Sequence, residues 1–153
     1  MGCLTHSEKE PVVTPELVTK ALDKVNVGVV IIDADNNIVF FNKLAGELLH
    51  QEPELRVGTS VLLCHPARAE LGVLDMIGKM KLGEIEKYEG WINYRGHILY
   101  EYIYPLHDED GRYIGAVDEL HDVPEKLEAQ KKSGVFKMPE LAGEGESTPR
   151  HPT

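Results

Sequence analysis

The sequence predicts an α+β fold in which helices pack on one antiparallel sheet, and three observations carry that prediction. Residues 86–122 hold three strand-like runs joined by two turns. Arg95-Gly96 is a two-residue connection between them, and Asp108-Glu109-Asp110-Gly111 ends on a Gly, for which positive φ costs little. Two hairpins in series make a meander. Upstream, GVVIIDADNNIVFFNK reads as a further hairpin, and the segments between carry the 3.6-residue spacing of helices.

Taken in order, Thr14-Pro15 opens a helix, Thr as its N-cap and Pro at its first position. Leu17, Ala21, Leu22 and Val25 form its apolar stripe, and Asn26 and Gly28 end it. The hairpin follows as Val29 to Ile32, a turn over 34–37, and Ile38 to Phe41. Both runs are continuously apolar, so both sheet faces must be covered there, by the first helix or by a partner chain. Asn42 can cap the segment Lys43 to His50, with Leu44, Leu48 and Leu49 inward. A short helical piece is expected over Val57 to Leu63. Pro66 then starts a longer helix, Ala67 to Met80, with Leu71, Leu74 and Ile77 toward the sheet and Gly83 as its stop. Asp122 and Glu125 have capping-box spacing for a last helix, Pro124 to Lys132, whose clear apolar anchor is Leu127.

A chain of 153 residues with 42% hydrophobic content can bury one core. The expected organisation is a flexible N-terminus over 1–13, one domain over 14–132 and a disordered tail over 133–153, rich in Gly, Pro, Glu and Ser. A net charge of −10 disfavours nucleic acid and anionic membrane as partners, since phosphate binding wants a basic stripe. No run approaches a membrane span and the N-terminus lacks a basic-then-apolar leader, so the expected location is cytoplasmic. The opening MGCLTHS misses a myristoylation signal because His6 stands where Ser or Thr is required. Cys3 and Cys64 make no disulfide framework. No nucleophile, base and orienting group cluster at readable spacing and no phosphate-binding Gly loop is present, which argues against an enzyme.

The order helix, two strands, short helices, longer helix, three strands, helix resembles a PAS domain over about residues 17–130. The motifs that carry the resemblance are Gly28 to Asp33 (GVVIID) followed by Ile38 to Asn42 (IVFFN), then Tyr104-Pro105-Leu106 leading into Asp110-Gly111-Arg112-Tyr113-Ile114-Gly115, and His121-Asp122-Val123. The resemblance implies a five-stranded sheet of order 2-1-5-4-3, helices over one face, the N-terminal helix on the other, and a ligand pocket between sheet and helices. Cys64-His65-Pro66 is similar to a subgroup with Cys-His-Pro-Pro before the long helix, often attached to hemerythrin-like domains, although Ala67 replaces the second Pro here.

If the Asp108 to Gly111 turn is a four-residue loop, Ile103 pairs with Ala116 and Glu101 with Asp118, and the Arg95-Gly96 turn pairs Leu99 with Ile92. One face then holds Tyr88, Ile92, Leu99, Glu101, Ile103, Ala116, Asp118 and Leu120. The other holds Trp91, Tyr100, Tyr102, Tyr104, Val117 and Glu119. The resemblance selects the first set as cavity-facing, so the expected ligand-binding residues are Tyr88, Ile92, Leu99, Glu101, Ile103, Ala116 and Asp118, with Leu71 and Leu74 from the long helix. Two carboxylates walled by Ile and Leu would lose hydration and repel, raising at least one pKa, unless one points to solvent or ties to Arg95, Arg112 or an amide. His65 reads as a heme-iron ligand with Cys64 as an adjacent soft donor, or else as a helix cap beside a small buried thiol. Leu17, Leu22, Trp91, Tyr100 and Tyr102 form an expected homodimer interface, the alternative being cover by the first helix within one chain. The functional expectation is a sensory or regulatory module that binds a small ligand, with heme as one candidate, and signals through dimer or partner-protein contacts. The alternative is an interaction scaffold with a self-filled core.

Overall fold

The first turn of the meander closes as its residues dictate. In a computed structural model of the chain, which describes residues 10–133, β3 (Tyr88–Tyr94) and β4 (His97–His107) pair from Tyr94↔His97 to Tyr88↔Ile103. Arg95 and Gly96 both take positive φ, 50° and 83°, which lets the two-residue turn match the strand twist. Ile92 lies opposite Leu99 as expected. The second turn is longer than expected. Asp108 Oδ1 accepts from the amides of Asp110 at 2.9 Å and Arg112 at 2.8 Å, drawing Arg112 into the loop. An irregularity beside the His107↔Tyr113 pair adds another residue. Together these slide β5 (Tyr113–Asp122) by two, so Ile103 faces Asp118 rather than Ala116, and Glu101 faces Leu120 rather than Asp118. Side chains alternate with period two, so every residue keeps its expected face. Glu101 and Asp118 become diagonal neighbours instead of a direct pair.

β1 (Gly28–Asp33) lies between β5 and β2 (Ile38–Phe41), giving one antiparallel sheet of order β2-β1-β5-β4-β3. β1 passes so close to β5 that a Cβ on Gly115 would overlap the Ile32 carbonyl oxygen, and Gly115 sits at φ 155°. Val29, Val30 and Ile32 are buried, as a central strand covered on both faces should be. The same expectation fails at the edge strand β2, where Val39 is half exposed.

Asn42 caps α2 (Lys43–Leu49), Oδ1 accepting from Ala45 N at 2.9 Å, and Leu48 turns inward. The helical piece expected over 57–63 is replaced by α3 (Pro53–Arg56), an extended stretch and a 3-10 turn over Val61–Cys64. The stretch between them pairs with the open edge of β2: Gly58 N donates to Ile38 O at 2.7 Å, and Ile38 N donates to Thr59 O at 2.8 Å. A second 3-10 turn, Ala67–Ala69, precedes α4 (Glu70–Lys81). Gly83 ends α4 at φ 73°, with Gly83 N donating to Met80 O and Glu84 N to Lys79 O, the paired bonds of a left-handed helix stop.

The facing of α4 corrects the expectation. Leu71 is 82% and Leu74 41% exposed, while Ile77 and Met80 are buried and Val73 and Met76 pack on the core. The stripe through Val73, Met76, Ile77 and Met80 faces the sheet instead. The core lies between α2, α4 and the inner face of the sheet, around Ile38, Leu99 and Leu120.

α1 (Pro15–Lys24) has the expected Thr14 cap. It packs against α2, where Lys43 N donates to Asp23 Oδ1 at 3.0 Å, and leaves Leu17 59% exposed. Trp91 on the outer sheet face also stays 41% exposed, so α1 does not bury it within one chain. α5 (Val123–Ser133) starts one residue earlier than expected, and its Glu125 amide is capped by Asp122 Oδ1 at 3.2 Å. Among the described residues no helix is long and apolar enough to cross a membrane. Cys3, the lipidation-like opening and the tail over 134–153 lie outside the described residues.

Candidate functional site

Strand alternation brings Tyr88 from β3, Glu101 and Ile103 from β4, and Asp118 from β5 onto the inner face, opposite α4. An open cleft of about 740 Å³ runs there, with His65, Arg68, Val73, Met76, Tyr88 and Glu101 among its walls. A smaller chamber of about 70 Å³ lies against Val30, Ile32, Met80, Ala116 and Asp118, and shares His65, Val73, Met76 and Ile103 with the cleft. One end of the combined space is polar and the other is hydrocarbon.

The two carboxylates dominate its electrostatics. Burial pushes Glu101 from its ordinary 4.5 up to about 7. Asp118 is also held well above the usual carboxylate range, by burial first and then by the charges of Glu101 and Glu119. No neighbouring cation offsets either shift. Asp118 is partly buried as a residue, but its Oδ1 is fully enclosed and has no hydrogen-bond partner. Burial, then Glu101 and Asp118, raise the Tyr88 phenol as well. The expectation of a raised carboxyl pKa holds, and neither Arg95 nor Arg112 ties to these groups: Arg112 lies against Asp108 and Asp110 in the loop.

His65 lines both spaces. Its Nδ1 lies 3.0 Å from Val61 O, and a carbonyl can only accept, so Nδ1 donates to it. It does not cap the following helix, whose first turn has no side-chain cap. Cys64 lies outside the walls of both spaces, half-buried and packed on the core, and burial raises its thiol pKa. It therefore stays protonated and makes a poor second donor.

Of the expected ligand set, Tyr88, Glu101, Ile103, Ala116 and Asp118 meet at the cleft and chamber. Leu99 is fully buried and Ile92 packs beside it, so both are core rather than lining. Leu71 and Leu74 point away, and Val73 and Met76 take their place. The signal for those two was the i, i+3, i+4, i+7 stripe ending at Met80, which competed with the leucine stripe.

The described interior does not fit a heme. A porphyrin-sized ligand needs on the order of several hundred Å³ of enclosed volume. The enclosed chamber is far smaller, and the larger space is an open cleft with Glu101 among its walls.

On the outer face, Trp91, Tyr100, Tyr102 and Tyr104 form a row with ring centroids 4.6, 5.1 and 6.2 Å apart. Tyr100 is buried within that row and donates to Glu89 Oε2 at 3.1 Å. Leu22 is partly buried and Leu17 exposed, as above.

Comparison with known proteins follows the same lines. A family model described as PAS domain matches residues 19–124. A search of curated proteins gives no match. Among solved structures, a C-terminal domain from Streptococcus mutans is 20% identical with a TM-score of 0.65, covering 76% of this chain and 90% of its own. The PAS domain of BvgS from Bordetella pertussis is 16% identical with a TM-score of 0.59, covering 77% and 96%. A sensory box sensor histidine kinase from Vibrio cholerae is 19% identical with a TM-score of 0.53, covering 71% and 90%. At these identities the likeness speaks to fold.

Proposed function

The chain belongs to the PAS domain family, and from that premise we propose that it is a sensory or regulatory module. It binds a small ligand in the cleft beneath α4 and answers through α5 and through contacts with a second copy or a signalling partner protein. Asp118 carries the reading. A core filled by its own side chains has no reason to enclose a carboxylate oxygen without a partner, whereas a ligand site does. Use of the same fold in a sensor histidine kinase supports the sensory half of the proposal.

The output route follows the strand. Asp118, Leu120 and Asp122 alternate onto one face of β5, and Asp122 both accepts from His97 Nε2 at 2.9 Å and caps α5. A ligand that displaces Asp118 therefore acts on the strand whose last residue holds the helix. This requires unequal binding to two arrangements of that junction. The apolar stripe of α1 around Leu17 and Leu22, with Trp91, Tyr100 and Tyr102, is the surface proposed for a homodimer. We read the chain as non-catalytic and cytoplasmic, with neither nucleic acid nor membrane as a partner.

Native mass spectrometry and an absorption spectrum of purified protein test this. A small added mass and no Soret band are expected. A bare chain that gains no mass from cell metabolite extract, yet still captures a second copy through its outer face, would favour the interaction scaffold instead.

A further inference from the structure

We infer that the ligand is a protonated amine bearing a short apolar group, its ammonium seated between Glu101 and Asp118 and its hydrocarbon lying against Val73, Met76 and Ile103. This rests on the proposal that the cleft is the ligand site and adds the charge and shape of what enters it. Glu101 lines the cleft, Asp118 lines the chamber behind it, and the two are diagonal neighbours on adjacent strands. An ammonium between them would give Asp118 Oδ1 the donor it lacks. Beyond that point the chamber is hydrocarbon, apart from the His65 at its edge. An ammonium has three N–H donors and no acceptor, which suits a floor of acceptors. An anion would meet two carboxylates and no compensating base there.

The other charged groups facing this floor do not supply the missing cation. Lys79 on α4 is held by Asp75 at 3.1 Å and Glu84 adds negative charge from the loop after α4, while Glu119, on the outer face of the same strand, adds a further repulsion on Asp118. Arg68 and His65 stand at the helix end of the cleft, and neither offsets the carboxylate shifts. Among the described residues no three His, Cys, Asp or Glu side chains converge to hold a metal ion, so an organic cation is the better match.

Burial raises the proton affinity of both carboxyls, so seating an ammonium between them favours their ionised forms and releases protons. The test is titration calorimetry of the full chain with three probes of one shape: 2-phenylethylamine, 2-phenylethanol and phenylacetate. The amine should bind about tenfold or more tighter than either other probe, strengthen as pH rises from about 6 to about 8, and release a proton seen as a buffer-dependent heat. Glu101→Gln and Asp118→Asn should each weaken the amine about tenfold while sparing 2-phenylethanol. Each replaces a buried carboxyl with a neutral amide of nearly the same shape, so folding is retained. Equal or tighter binding of the alcohol or the acid would overturn the amine assignment and leave the ligand site standing. Binding of none of the three, by a protein that also carries no added mass, would overturn both.

Discussion

At the scale of single residues, Asn42 and Glu101 show how differently a buried polar group can be treated. Asn42 is 0% exposed and fully satisfied. Oδ1 accepts from Val29 N and Ala45 N, both at 2.9 Å, and Nδ2 donates to Leu22 O at 2.9 Å and Val27 O at 2.8 Å. The cap was legible in sequence because it is local, but the three other bonds reach α1, the segment that follows it and β1. Asn42→Ala strands those backbone groups and should cost about 3 kcal/mol in urea denaturation, well above an ordinary cap loss of about 1 kcal/mol. Glu101 is the opposite case. Its folded pKa, about 7, exceeds the ordinary 4.5, so the folded state holds the proton more tightly than the unfolded chain. Its contribution is favourable below about pH 4.5 and is lost as pH rises through about 7. Denaturation of the ligand-free protein should therefore show stability falling across that window, and Glu101→Gln should flatten the fall and gain about 2–3 kcal/mol at about pH 8. A wild-type profile that rises instead would contradict the burial of this carboxyl.

At the scale of elements, α4 decides the shape of the cleft. Two apolar stripes run along it, one through Leu71 and Leu74 and one through Val73, Met76, Ile77 and Met80, and spacing alone cannot choose between them. If the second faces the sheet, Met80→Ala should cost about 2–5 kcal/mol, while Leu71→Ser should change stability by less than about 0.5 kcal/mol. The reverse order would mean the helix is turned the other way. The α5 junction makes a separate expectation. Asp122→Ala removes the cap on Glu125 and the partner of His97, and should cost about 1 kcal/mol while raising amide exchange in the first turn of α5.

At the scale of the whole molecule, the uncovered surfaces matter most. Leu17 on α1 and Trp91 on β3 are both exposed in one chain, and a net charge of −10 does not prevent a local apolar match. Light scattering at micromolar concentration should give a dimer mass, and Trp91→Glu or Leu17→Glu should return the monomer mass. Unchanged mass in both variants would remove these residues from the interface.

The sequence by itself determined which runs become strands, where most helices begin and end, and which face each residue of the meander occupies. Those features depend on forces a few residues long: turn φ angles, caps and period-two alternation. The facing survived even though the register did not, because loop and irregularity together displaced β5 by two residues, an even number. Only the tertiary structure decided the rotation of α4, the pairing of residues 58–60 with the edge of β2, and the position of α1 against α2. It also decided that Asp118 Oδ1 would be left enclosed and alone. Each of these depends on contacts between segments distant in the chain, where several local arrangements cost nearly the same and packing selects one.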